Sequence, residues 1–323
     1  GYHGVSQTEY GANSTNRYNI SIGSFAGTKA IGTNSVNVGY NAGYYATGSY
    51  NTFVGSAAGV GGTTSAPYSS GESNTALGYQ ALTAFTTGYS NTAIGKGAGD
   101  AITTGYNNSF MGESAGTALT IGFGNVMIGR LAGYASTDVD KTVIIGEQAA
   151  YTGNMTSDAD GTVSIGSGAG KNITSGIGNV SVGYEALTSE DTGDFNTAIG
   201  YQALLVQNND GNMSNTAVGY KAGVAITTSQ YNVLVGKDAG KSMTAGSGRS
   251  VFIGMRAGDA ATLSNYNVGI GYDAMGANTV GSYNVVIGGA AGYDLQGPEN
   301  VIIGSSAGNN LTTSSGSVVI GHE

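Results

Sequence analysis

The chain has 323 residues, 58 of them glycine, no cysteine and a formal net charge of −9. Without cysteine there is neither a disulfide framework nor a thiolate metal site. Between Asp100 and Asp210 twelve acidic residues face only Arg130, Lys141 and Lys171, which makes nucleic acid a poor partner, and no apolar run approaches the ~18 residues of a membrane span.

Residues 1–18 read as a partial or irregular first coil, and from Asn19 onward one motif recurs to the end of the chain. It is tracked by a glycine that follows an aliphatic residue or Met: Gly23, Gly39, Gly55, Gly78, Gly95, Gly112, Gly129, Gly146, Gly166, Gly183, Gly200, Gly219, Gly236, Gly254, Gly271, Gly288, Gly304 and Gly321. The string Asn-Thr-Ala-Ile-Gly-Tyr-Gln-Ala-Leu occurs twice unchanged, at Asn74 to Leu82 and at Asn196 to Leu204. A period of about 17 residues, repeated about 18 times, predicts an all-β parallel β-solenoid (a β-roll or β-helix) in which each copy is one coil touching mainly its neighbours. Residues 1–323 are thus expected to form a single repeat domain, with 19–323 as solenoid repeats. The chain starts in the second half of a motif and stops within one, as a window cut from a longer fibre would.

Within a coil, the residues one and three before the tracking glycine (Ile22, Val38, Leu77, Ile94, Met111, Ile199 and Ile320 among the former) are assigned to one buried face of a short strand. An alanine three residues after the glycine, as at Ala26, Ala98, Ala203 and Ala307, marks a wall too close for anything larger. Four residues before the glycine stands Asn in thirteen copies, Ser or Thr in the other five, and stacked at the ~4.8 Å strand spacing these can form an amide ladder. In the arc that follows, Ile102, Leu119, Ile173, Ile226 and Leu311 share one offset and are expected to close the core.

The residue two before the glycine then falls on the outside, although it is apolar at Phe53, Phe110, Met127, Ile144, Leu234, Phe252, Val286, Ile302 and Val319. An apolar stripe along the outside of a solenoid calls for a partner, and a second copy related by rotation buries it most simply. These nine residues are the expected oligomer interface.

The recurring Asn-Thr-Ala-Ile-Gly-Tyr-Gln-Ala motif with its Thr-Thr-Gly arcs resembles the head repeats of trimeric autotransporter adhesins of the Yersinia adhesin type, and also shaft repeats of bacteriophage tail fibres. The resemblance covers about nine tenths of the chain. It implies a left-handed roll in a homotrimer, an extracellular location on a virion tail or a bacterial surface, and a non-enzymatic role in attachment, with a cell-surface glycan or receptor as the partner besides the chain itself.

The two histidines, His3 and His322, stand at opposite ends, so no Ser-His-Asp or Cys-His arrangement can be built within one interior. No cofactor is expected. A calcium-binding or ice-binding solenoid and a glycan-degrading solenoid enzyme are the alternatives, but the acidic repeat of calcium rolls and regular Thr-X-Thr arrays are missing from the sequence. Three arcs exceed the common period: 60–73, 151–161 and 205–214. Insertions in solenoids gather on binding faces, so Tyr68, Tyr151, Asp158, Asp160 and Asp210 in these arcs, with Tyr184, Tyr201 and Tyr220 directly after their glycines, are candidate recognition residues.

Overall fold

The computed structural model describes residues 5–6, 18–66, 68–246 and 248–322. Most of the expected partial first coil and Pro67 of the first long arc lie outside these. The chain divides into two compact units between Thr162 and Val163, each a parallel β-solenoid with a coil of about 17 residues. In the first unit the strands are Ile20–Ile22, Val36–Val38, Thr52–Val54, Thr75–Leu77, Thr92–Ile94, Ser109–Met111, Val126–Ile128 and Val143–Ile145. The second holds Val163–Ile165, Val180–Val182, Thr197–Ile199, Thr216–Val218, Val233–Val235, Val251–Ile253, Val268–Ile270, Val285–Ile287, Val301–Ile303 and Val318–Ile320. Helix is confined, among the described residues, to one short 3-10 turn at Ser157–Ala159, and no helix is long and apolar enough to cross a membrane.

Pairing is position for position. Thr75, Ala76 and Leu77 stand beside Thr92, Ala93 and Ile94, and Val285, Val286 and Ile287 beside Val301, Ile302 and Ile303. Each kind of residue therefore forms a column along its unit, and a column is the natural unit of description. At the start of the first unit Val5–Ser6 pairs antiparallel with Ser21 and Ile22, which covers a row of strand groups that would otherwise template further pairing.

Strands of three residues make up a small part of each coil; turns make the rest. Four positions per coil carry positive φ, for example Ser90 (54°), Gly95 (134°), Gly97 (63°) and Gly99 (56°). The tracking glycine cannot be replaced: a Cβ on Gly78 would lie 2.5 Å from the carbonyl oxygen of Gly95 in the next coil, a distance that only backbone movement could relieve. The turns are themselves hydrogen-bonded between coils. The Gly39 and Asn41 amides donate to Ile22 and Ser24 of the preceding coil at 2.8 and 3.0 Å, and that of Gly43 to Ala58 of the following one at 3.0 Å. Backbone groups are thus satisfied around the whole perimeter.

The two strand faces are the reverse of the sequence expectation. Phe53, Met127, Ile144, Leu234, Phe252, Val286 and Ile302 are 0% exposed and Phe110 1%, so they are core residues and not an outer interface, while Val319 on the last strand is half-buried. Outward instead point the residues assigned to the core, such as Ile22, Leu77, Met111 and Ile199, each exposed by more than a third. The reason is packing. The inner position ranges from Gly269 through Ala76 to Phe252 because neighbours complement its volume, and this spread masks its burial. Where it holds Phe53, Phe110, Met127 or Phe252, the residue six further on is Gly59, Gly116, Gly133 or Gly258, and a Cβ there would lie 2.4 to 2.6 Å from the large side chain. Where it shrinks to Ala76, Ser181, Ala198 or Gly269, that place is taken by Leu82, Leu187, Leu204 or Met275, all fully buried.

The remaining inner columns match the expectation. The alanines from Ala42 to Ala291 and the arc residues Ile102, Leu119, Ile173 and Ile226 are buried; Leu311 is half-buried. The amide ladder is present: the Asn91 side chain accepts from the backbone and side-chain nitrogens of Asn108 at 3.1 and 3.0 Å, and its own amide donates to the Gly105 carbonyl at 2.8 Å.

Candidate functional site

With the core full, chemistry is left to the columns that face out. Three are distinctive: the outer face of the strands, the position directly after the tracking glycine, and the position two before the Asn ladder.

The outer strand face carries Ile, Val, Leu or Met immediately before every tracking glycine and mostly Val or Thr two residues earlier. In the second unit Ile199, Ile253, Ile287 and Ile303 are each 37 or 38% exposed, in register along paired strands. A surface built from β-branched residues, with no charge within it, leaves apolar area in water that a partner would remove.

The column after the glycine differs between the units. In the first, beyond Tyr40 and Tyr79, it runs Lys96, Glu113, Arg130 and Glu147; Lys96 pairs with Glu113 at 3.1 Å and Arg130 with Glu147 at 2.6 Å. Glu147 holds the exposed Arg130 guanidinium above its ordinary range through a direct hydrogen bond and its charge. In the second unit the same column reads Tyr184, Tyr201, Tyr220 and Lys237. Here the three tyrosine rings are stacked, with centroids 5.2 and 5.3 Å apart and planes within 15°, and the Lys237 ammonium stands 5.8 Å from the last ring. Glu185 accepts from the Tyr184 hydroxyl and pushes that phenol up.

The structure brings together these three tyrosines of the recognition set. The others have neighbours of their own. Tyr68 stacks on Tyr45 at 5.7 Å and Tyr151 lies 5.5 Å from Tyr134. Asp158 sits exposed on the 3-10 turn, Asp160 accepts the Asp140 amide at 2.7 Å, and Asp210 accepts the Thr192 hydroxyl at 2.6 Å. The long arc at 205–214 returns to the solenoid through a two-residue strand, Gly211–Asn212, paired parallel with Gly193–Asp194.

The third column was not singled out from the sequence. It contains Tyr89, Tyr106 and Phe123, whose rings stack at 4.9 Å with planes within 5°. Lys141 caps Phe123 with its ammonium 5.2 Å from the centroid. Asp140 follows in the column and accepts the Phe123 amide at 2.8 Å. Burial lifts the Asp140 carboxyl above its usual range, that hydrogen bond lowers it, and Asp160 and Asp138 raise it again. A related stack in the second unit is Tyr266 on Tyr283 at 4.8 Å, with Arg249 between Tyr231 and Tyr266 at 5.3 and 5.5 Å. The signal was present in the sequence as aromatic residues seventeen apart, Tyr89, Tyr106 and Phe123.

Compared with protein-family models and with curated proteins, the chain matches none.

Proposed function

We propose that this chain is a structural segment of an extracellular attachment fibre, of the phage tail-fibre or bacterial surface-adhesin kind, which performs no catalysis and works by extension and by association of identical copies, three in the arrangement that the repeat resemblance implies. One observation carries the association: the outward column immediately before each tracking glycine holds Ile, Val, Leu or Met in every coil of both units, whereas the inner position varies from Gly to Phe. Burial alone does not demand constancy on a solvent-facing column; a repeated contact with a second copy does, because rotational symmetry presents the same columns to each partner. An ice-binding face would need Thr in both outer columns, and here one of the two is aliphatic throughout. Receptor or glycan contacts belong to the aromatic columns and the long arcs.

Light scattering on the purified chain tests this reading. A trimer is expected, and Met111→Asp combined with Ile199→Asp should convert it to a folded monomer by placing charges in the contact. A wild-type chain that is monomeric at high concentration overturns it.

A further inference from the structure

The ring stacks of this molecule carry a cation at one end. Lys141 covers the Phe123 end of the first stack, Lys237 the Tyr220 end of the second, and Arg249 the Tyr266 end of the third. At the other end of the first stack the ring is Tyr89, 45% exposed, and among the described contacts no cation lies over it. The place below it in the column belongs to Glu72. The hydrogen bond that sets one ring above the next proves the register: Asn107 donates to the Tyr89 carbonyl at 3.1 Å, and Ser90 donates in the same way to the Glu72 carbonyl at 2.9 Å. Between them opens a cleft of about 300 Å³ lined by Ser70, Gly71, Glu72, Ser73, Thr87, Tyr89 and Ser90.

We infer that this cleft is a binding site for a small organic ligand carrying a primary ammonium group, held against the free face of Tyr89 and paired with Glu72. A cation over a tyrosine face is attracted by the ring quadrupole, and the molecule already uses that contact at the far end of the same stack. A primary ammonium has three donors to place. The Glu72 carboxylate and the hydroxyls of Ser70, Ser73, Thr87 and Ser90 supply acceptors around the cleft, a rim that an uncharged hydrocarbon would leave unpaired. The acidic side chain makes the site selective for charge: it would repel an anion, and it adds little for a neutral sugar or diol.

Saturation-transfer NMR on the intact chain at pH 7 tests this with ethanolamine, its neutral counterpart ethylene glycol, and methyl glucoside. Millimolar binding of ethanolamine is expected, with no detectable transfer to ethylene glycol. Glu72→Gln, a substitution at an exposed side chain, should weaken it at least about fivefold. Tyr89→Ala should abolish transfer and Tyr89→Phe should keep it, each variant being checked by circular dichroism. Equal transfer to ethanolamine and ethylene glycol, binding of methyl glucoside that ignores Glu72→Gln, or ethanolamine binding that survives Tyr89→Ala would each overturn the assignment.

Discussion

At the scale of single residues, the polar interior is where this fold is most exposed to change. Asn108 accepts both the backbone and side-chain nitrogens of Asn125 at 3.0 Å and donates to Asn91 and to the Gly122 carbonyl at 3.0 and 2.8 Å. Asn108→Leu keeps the approximate volume but strands several of these groups without water, so a loss of about 3 kcal/mol is expected from the denaturant midpoint; a loss within about 0.5 kcal/mol would show that the ladder is dispensable. Among the described residues Glu190 is the one acid with no exposure at all, in the arc column otherwise held by residues such as Ile173 and Ile226. It accepts the Asp191 and Gly193 amides at 3.1 and 2.7 Å and the Gln207 side chain at 2.8 Å. Burial nevertheless outweighs these bonds and raises its carboxyl above the usual range. An acid whose folded value lies above its unfolded one binds protons more tightly in the native state. Its contribution is therefore complete below the unfolded value and is lost as pH rises through the folded one. Stability measured against pH should fall over that rise in the wild type, and Glu190→Gln should remove that part of the slope; parallel curves for the two proteins would show that Glu190 does not titrate in that window.

At the scale of one coil, the interior is filled jointly by a strand residue and a turn residue, and this coupling explains what the sequence did and did not reveal. Period, strand position, the close approach at the glycine, the wall alanine and the Asn ladder were legible, because each repeats at a fixed offset with little variation. The direction of the strand was not: in a strand of three residues the alternation offers one residue against two, and the outer column of Ile199 looks more consistently apolar than the inner column of Ala198. The decisive signal lay six residues further on, where Leu204 replaces the usual glycine in that coil. A left-handed leucine is strained (φ 50°), and only the space left by Ala198 makes it favourable. The coupling is measurable. Ala198→Phe should overpack the coil and Leu204→Gly should open a cavity, each costing about 2 kcal/mol or more, while the pair recreates the Phe252 and Gly258 arrangement. The double variant should be at least about 1 kcal/mol more stable than the sum of the single losses; simple additivity would show that the two positions do not share one space.

At the scale of the whole molecule, the reversal of the strand faces moves the surface for the proposed self-association from the columns of Phe110 and Phe252 to those of Met111 and Ile199 in their respective units, and it inverts the expected outcome of charge substitution. Phe110→Asp or Phe252→Asp now places an unpaired carboxylate in a closed core and should unfold its unit, whereas Ile199→Asp should leave the fold intact and act on association alone. Each unit has its own ladder, Asn column and closed core, and in a solenoid stability is carried by contacts between neighbouring coils. Residues 163–323, produced alone, should therefore keep their circular dichroism signature and a cooperative thermal transition. Their outer columns run through ten paired strands, so the fragment should also form trimers in sedimentation experiments, and Ile199→Asp with Ile253→Asp should dissociate them without loss of that signature. A folded fragment that stays monomeric while the full chain is trimeric would show that the outer columns do not suffice for association.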